Sequence, residues 1–227
     1  MTLRIAIPKG RLQERILALF AAAGYDIPTE TDLRSRRLVF DRDGVEWIFV
    51  KDCDVPVYVE HGAADAGVAG LDQILEHGCT AYQPVELPFG LCRMMLIGAP
   101  EAPRLNGSSS ARLNGSSNAR LNGATAKIAT KYPRIARQYL DSRALHAEIV
   151  TLGGSVELAA VLKLTSHVID LVETGQTVRV HHLELQDTVA EISPRLIVGK
   201  TSYRTESKRI RELISRIEES INERIIA

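Results

Sequence analysis

No stretch of this chain approaches the roughly 18–20 consecutive apolar residues that span a bilayer, so nothing in it reads as a membrane anchor. The start, MTLRIAIPKGR, lacks the long apolar core and small-residue cleavage site of a signal peptide, and a cytoplasmic protein is expected. Net charge is missing too. Lys+Arg and Asp+Glu both number 28, so the whole molecule is not steered toward nucleic acid or an anionic membrane. Cysteine is scarce. Cys53, Cys79 and Cys92 include no pair at metal-ligand spacing, and their odd number predicts buried free thiols. The six histidines form no HExxH or His-x3-His pattern. His181 and His182 fall on a predicted strand, where neighbours face opposite ways and would not share a metal.

What is present is alternation. LRIAI reads as a strand, and the following GRLQERILALFAAAG places Leu12, Ile16, Leu19 and Phe20 on one helical face, with Gly24 as a stop. RLVF and VEWIFV read as a hairpin turned by Asp43-Gly44. Further strands are expected at ADAGVAG, LCRMMLIGA, AKIAT, AEIVTL, HVIDLV, HHLELQDTVAEIS and RLIVGK. Helices are expected at DVPVYVEHG, LDQILEHG, KYPRIARQYLDSR and GSVELAAVLKL, the last with Ser155 as N-cap. The tail SYRTESKRIRELISRIEESINERIIA spaces Ile210, Leu213, Ile214, Ile217, Ile221 and Ile225 as one amphipathic helix. Repeated strand–helix alternation makes the chain α/β. Residues 104–123 interrupt it with three copies of an RLNG-containing unit, whose Ser/Asn/Gly composition predicts a flexible loop.

Five strand-to-helix junctions carry the candidate chemistry, because ligands of α/β folds gather at the carboxyl ends of strands. In DLVETGQTV, Gly175 permits a tight turn, and Thr174 and Thr177 add hydroxyl donors for an anion. Asp170 and Glu173 offer oxygens for sugar hydroxyls or water-bound Mg²⁺. Phosphate and ribose together describe a phosphoribosyl site. The bland alternative is a strand followed by a capped turn. IPKGRL sets Lys9 and Arg11 at a helix start, suited to polyphosphate or simply solvated. In GVAGLDQILE, Asp72 stands at a helix start and reads first as an N-cap. ATKYPRIARQYL offers Thr130, Lys131 and Tyr132, and LGGSVELA offers Ser155 and Glu157.

IPKGRL, DVPVYVEHGAADAGVAGLD, LPFGLCRM, ATKYPRIARQYL, GSVELA, IDLVETGQTV and RLIV follow one another as in the ATP phosphoribosyltransferase family, which the chain resembles over all but 104–123. The resemblance implies the first step of histidine biosynthesis: N1 of ATP's adenine displaces pyrophosphate from C1 of phosphoribosyl pyrophosphate (PRPP), with Mg²⁺. It implies two lobes like a type II periplasmic binding protein with a cleft between them. Residues 1–90 plus 182–227 would form the first lobe with the C-terminal helix, and 91–181 the second. By resemblance Asp170, Glu173, Thr174, Gly175, Gln176 and Thr177 bind PRPP. Lys9, Arg36 and Lys51 are catalytic cations. Arg11, Asp72, Thr130, Tyr132, Ser155 and Glu157 line the ATP side. No residue binds Mg²⁺ directly, the metal being held through substrate phosphates. The end of the chain after the terminal helix resembles the short form, implying a homodimer and a histidyl-tRNA-synthetase-like regulatory subunit in a hetero-octamer. A second reading is a relative that binds nucleotide or PRPP and regulates a partner.

That second reading is motivated by departures from the family pattern. Lys51 and Leu71 stand where the family usually has arginine and a basic residue. Ala160 replaces a proline, and Ser166 an acid. His181 and His182 replace an Asn-Gly pair. Lysine keeps arginine's charge but not its two-pronged grip on phosphate.

Overall fold

A computed structural model describes residues 2–105, 120–121 and 124–226. The chain divides into two compact units, Met1–Gly90 with Ser193–Ala227, and Leu91–Ile192. In order, the first contains β1 (Leu3–Lys9), α1 (Gln13–Ala22), α2 (Glu30–Arg34), β2 (Val39–Arg42), β3 (Val45–Lys51), α3 (Val55–Glu60), β4 (Ala66–Gly70), α4 (Leu71–His77) and β5 (Tyr82–Glu86). The second contains β6 (Cys92–Gly98), β7 (Arg120–Leu121), β8 (Ala124–Thr130), α5 (Pro133–Ser142), β9 (Ala147–Thr151), α6 (Glu157–Val161), β10 (His167–Val172), α7 (Gln176–Val180) and β11 (Glu184–Ile192). The chain then returns to the first unit for β12 (Pro194–Val198), α8 (Lys200–Thr205) and α9 (Ser207–Ile226).

In the first unit the strand order is β2-β3-β1-β4-β12-β5. β1, β3 and β4 run parallel, while β2, β5 and β12 pair antiparallel. β1 reads LRIAIPK because it is buried on both faces, and Ile5, Ala6 and Ile7 are inaccessible to water. The β2–β3 turn takes positive φ at Asp43 (44°) and Gly44 (75°), the geometry that matches hairpin twist. Trp47 on β3 anchors the core. Its ring meets Phe20 of α1 edge-to-face at 5.1 Å, and its Nε1–H donates to Asp26 O at 3.0 Å. The tail is two helices rather than one, with the break at Glu206 between α8 and α9. Ile210, Leu213 and Ile217 of α9 are fully buried in the first unit's core, as their spacing predicts. Ile225's side chain lies outside the described residues.

The second unit orders its strands β11-β6-β10-β8-β7, with β9 also on β8. β8, β9 and β10 are parallel, so their carboxyl ends lie side by side. α6 and α7 bury Val156, Ala159, Ala160 and Val178 with Met95 and Val168 of the sheet. The strand pairing places the return to the first unit at Ser193, whereas the sequence reading places it at 182. β11 is bonded to β6 along its length, and this holds residues 184–192 in the second unit.

Several local expectations change. Ser155 does not cap α6. It takes φ 48°, and Val156 is the N-cap. Asp72 is likewise not a cap, because Gly70 holds that position and Asp72 sits in the first turn of α4. The three cysteines form no disulfide, as expected, but are half-buried, not buried. Within the 104–123 segment, Leu105 is buried and Arg120–Leu121 pairs with β8. The rest of that predicted loop, 106–119 and 122–123, lies outside the described residues.

The histidine pair is not on a strand either. His181 ends α7, and His182 follows at φ 53°. A β-carbon in the left-handed region costs roughly 1–2 kcal/mol. Glycine returns part of that gain through its freer unfolded chain. His182→Gly is expected to stabilise the protein by about 0.5–1 kcal/mol. Thermal unfolding measures this, and an unchanged or lower Tm would contradict it.

Candidate functional site

The predicted residues fall into two sets, one in each unit. In the first unit, β1 and β3 end in register, with Lys9 opposite Lys51. Both side chains are exposed. Paired positions on one face hold side chains about 5 Å apart, and like charges there repel. Nothing in a packed core calls for two ammonium groups at the carboxyl ends of neighbouring strands. A polyanion between them would turn the repulsion into binding. Arg11 is exposed just after β1, and Arg36 is exposed between α2 and β2.

Asp72 lies at the β4–α4 junction of the same unit. It is only 6% exposed, and its Oδ2 accepts from Gln73 Nε2 at 2.7 Å. Its carboxylate is therefore engaged within the protein.

The second set lies at the carboxyl ends of β8, β9 and β10. Thr130 ends β8 and is fully buried. Its hydroxyl donates to Ile169 O on β10 at 2.7 Å and accepts from Tyr132 N at 2.9 Å. That hydroxyl spends its one proton on locking two strand ends together. Tyr132 is 3% exposed and caps the start of α5, with Lys131 Nζ 5.8 Å from its ring centre. Beyond β9, the loop through Gly153 and Gly154 leaves Ser155 exposed and Glu157 half-buried.

β10 delivers the third loop. Asp170 is half-buried near the strand's end, and its Oδ1 accepts from Leu171 N at 2.8 Å. Glu173, Thr174, Gln176 and Thr177 are exposed. Gly175 turns the chain at φ 71° into α7, a helix that the sequence reading did not anticipate. Left-handed backbone there favours glycine. Thr174 Oγ1 accepts from Gln176 N at 3.4 Å, so its own hydrogen remains available to a ligand oxygen. Arg179 of α7, which the motif reading passed over, reaches back to donate to Thr174 O at 3.2 Å. Its signal in the sequence is an arginine five residues after the loop threonine, visible as a contact only once 176–180 is known to be helical.

Comparison with known proteins follows this geometry. The family model HisG: ATP phosphoribosyltransferase matches residues 51–219. The chain is 42% identical over 217 residues to the ATP phosphoribosyltransferase of Deinococcus radiodurans, covering 96% of this chain and 90% of that protein. Among solved structures it resembles the ATP phosphoribosyl transferase (HisG:HisZ) complex from Thermotoga maritima, with TM-score 0.78 and 29% identity, covering 98% of this chain and all of that one. The BvgS VFT2 domain of Bordetella pertussis shares the fold at TM-score 0.55 and 14% identity, covering 97% of this chain and 87% of that one.

Proposed function

The chain belongs to the ATP phosphoribosyltransferase family, and from that premise we propose how its two strand-end sets divide the substrates of the reaction. The chemistry joins N1 of adenine to C1 of the PRPP ribose. The N1 lone pair forms the new bond while the C1–O bond breaks, and its electron pair leaves on pyrophosphate. No proton has to leave N1, so no general base is needed in this step. The work is positioning, together with cations that take up charge on the leaving group.

The observation that carries the assignment is the loop Glu173–Thr177 at the carboxyl end of β10, beside the ends of β8 and β9. We assign it to PRPP. Thr174, Gly175, Gln176 and Thr177 receive the 5-phosphate, while Asp170 and Glu173 take the ribose hydroxyls. The paired Lys9 and Lys51, with Arg36, receive pyrophosphate or ATP phosphates. Of the ATP set, Arg11, Ser155 and Glu157 make contact. Asp72, Thr130 and Tyr132, which are buried, hold the strand ends in shape. Asp170 and Glu173 are oxygen donors of the kind that would hold Mg²⁺ through water, and the cation would supply positive charge against the substrates' phosphates.

The partner belongs to the same reading. The Thermotoga protein is solved as a HisG:HisZ complex. By that likeness we propose a complex of this chain with a HisZ-like subunit; the homodimer, the histidyl-tRNA-synthetase-like character of that subunit and a cytoplasmic location are proposed from the family resemblance alone. No helix among the described residues is long and apolar enough to cross a membrane.

The test is to incubate the purified chain with ATP, PRPP and Mg²⁺, with and without the regulatory subunit, and follow phosphoribosyl-ATP. Absence of product under both conditions, with ligand binding intact, would overturn catalysis in favour of a binding role. Lys51→Arg is expected to raise kcat/KM about two- to fivefold, since a guanidinium grips phosphate by two bonds. Unchanged or lower activity would show that lysine already suffices at that position.

A further inference from the structure

We propose that Arg179 is a positioning residue of the phosphoribosyl loop, acting through the peptide that joins Thr174 to Gly175. The inference rests on the assignment of that loop to PRPP. Arg179 Nη2 donates to Thr174 O at 3.2 Å, and Arg179 N–H donates to Gly175 O at 3.1 Å. One residue thus grips two successive carbonyls of the loop from α7.

The consequence follows from peptide geometry. A trans peptide is planar, with its C=O and N–H pointing in opposite directions. Holding the Thr174 carbonyl toward Arg179 therefore aims the Gly175 N–H to the other side, away from the guanidinium. An anion received there meets a donor already oriented. The anchor matters because residue 175 is glycine. Without a β-carbon its backbone occupies several regions almost equally well, so the preceding peptide can rotate unless something holds it. The missing β-carbon that permits the φ of 71° also leaves the turn's orientation weakly determined by the backbone alone. Arg179 is exposed and on the surface. Its role is to restrict a mobile peptide and not to fill a core, so its loss leaves the fold intact.

The experiment uses the full chain with its regulatory subunit. It measures KM for each substrate, PRPP binding at several ionic strengths, and hydrogen exchange of residues 174–177 without ligand. Arg179→Ala is expected to raise KM for PRPP by about three- to tenfold, the scale of one exposed hydrogen bond. KM for ATP and kcat should stay within about twofold, and the loop amides should exchange faster before any ligand is added. The ionic-strength slope of PRPP binding should match the wild type, because no phosphate contact is lost. Arg179→Lys, which keeps a donor on a long stem, should recover most of the loss.

Unchanged PRPP affinity with unchanged exchange would overturn the inference. So would a loss of affinity accompanied by a shallower salt slope and unchanged exchange, which would make the guanidinium a direct phosphate ligand. The loop assignment is tested separately by removing the hydroxyls of Thr174 and Thr177. If that double variant binds PRPP normally, the assignment itself fails. If it loses PRPP and Arg179→Ala does not, only the role of Arg179 falls.

Discussion

Thr174→Ala combined with Thr177→Ala is expected to raise KM for PRPP by about 150-fold or more while changing KM for ATP less than about threefold. The size follows from the bond type. A hydroxyl donating to a charged phosphate contributes roughly 1.5–3 kcal/mol, and two are removed. Both threonines are exposed, and Thr174 keeps its hydrogen because its oxygen accepts from Gln176 N. The folded state loses little, since neither side chain fills the core. Steady-state kinetics with each substrate varied in turn measures the split. Equal loss for both substrates would place ATP, not PRPP alone, on this loop.

Asp65→Ala is expected to cost about 2–4 kcal/mol of stability. The Asp65 carboxylate accepts from Arg4 N (2.9 Å), Arg4 Nε (3.2 Å), Arg4 Nη2 (3.0 Å) and Ser202 Oγ (2.8 Å). It thereby ties the start of β1 to the start of β4 and to α8, at the end of the sheet opposite Lys9 and Lys51. Truncation leaves a buried backbone N–H and hydroxyl without their acceptor, while the half-exposed Arg4 guanidinium returns to water. Burial pushes the Asp65 carboxyl up, but the bonds from Arg4 and Ser202 outweigh it and hold the group below its ordinary value of 3.8. A depressed folded value means that stabilisation is complete above about pH 5 and is lost as pH falls through the folded value. Urea unfolding of the wild type and of Asp65→Ala at pH 7 and pH 3 measures both effects. The difference between the two proteins should shrink at pH 3. A difference that stays constant with pH would assign the cost to packing instead of charge.

Much of the fold was legible because it rests on local rules. The alternation of strands and helices, the Asp43-Gly44 hairpin turn and the apolar stripe of α9 each follow from periodicity or from a single residue's backbone preference. The candidate site was legible in outline for a similar reason. Glycine, threonine and acidic residues at a strand's end have few uses in a core, and they stand out from the apolar run before them. The misreadings share a cause. The reading of Ser155 and Asp72 as caps, and of His181-His182 as strand, depended on where short helices begin and end, and at five to seven residues local preference does not settle that.

Residue chemistry in chain order was enough for an α/β fold with candidate ligand loops at strand ends, since spacing and periodicity are properties of neighbours in sequence; phosphoribosyl transfer came from the family resemblance, and 170–177 is the loop we propose for PRPP. Folding decided which chemically suitable groups are available. Thr130 has the hydroxyl of a ligand contact, yet 39 residues along the chain the carbonyl of Ile169 accepts its hydrogen bond. Lys9 and Lys51 become a pair only when parallel pairing of β1 with β3 sets them opposite each other. Arg179 acquires a role only when α7 turns it back onto Thr174. A side chain's chemistry is intrinsic, but whether its proton or charge is already spoken for depends on partners that only the folded chain brings within bonding distance.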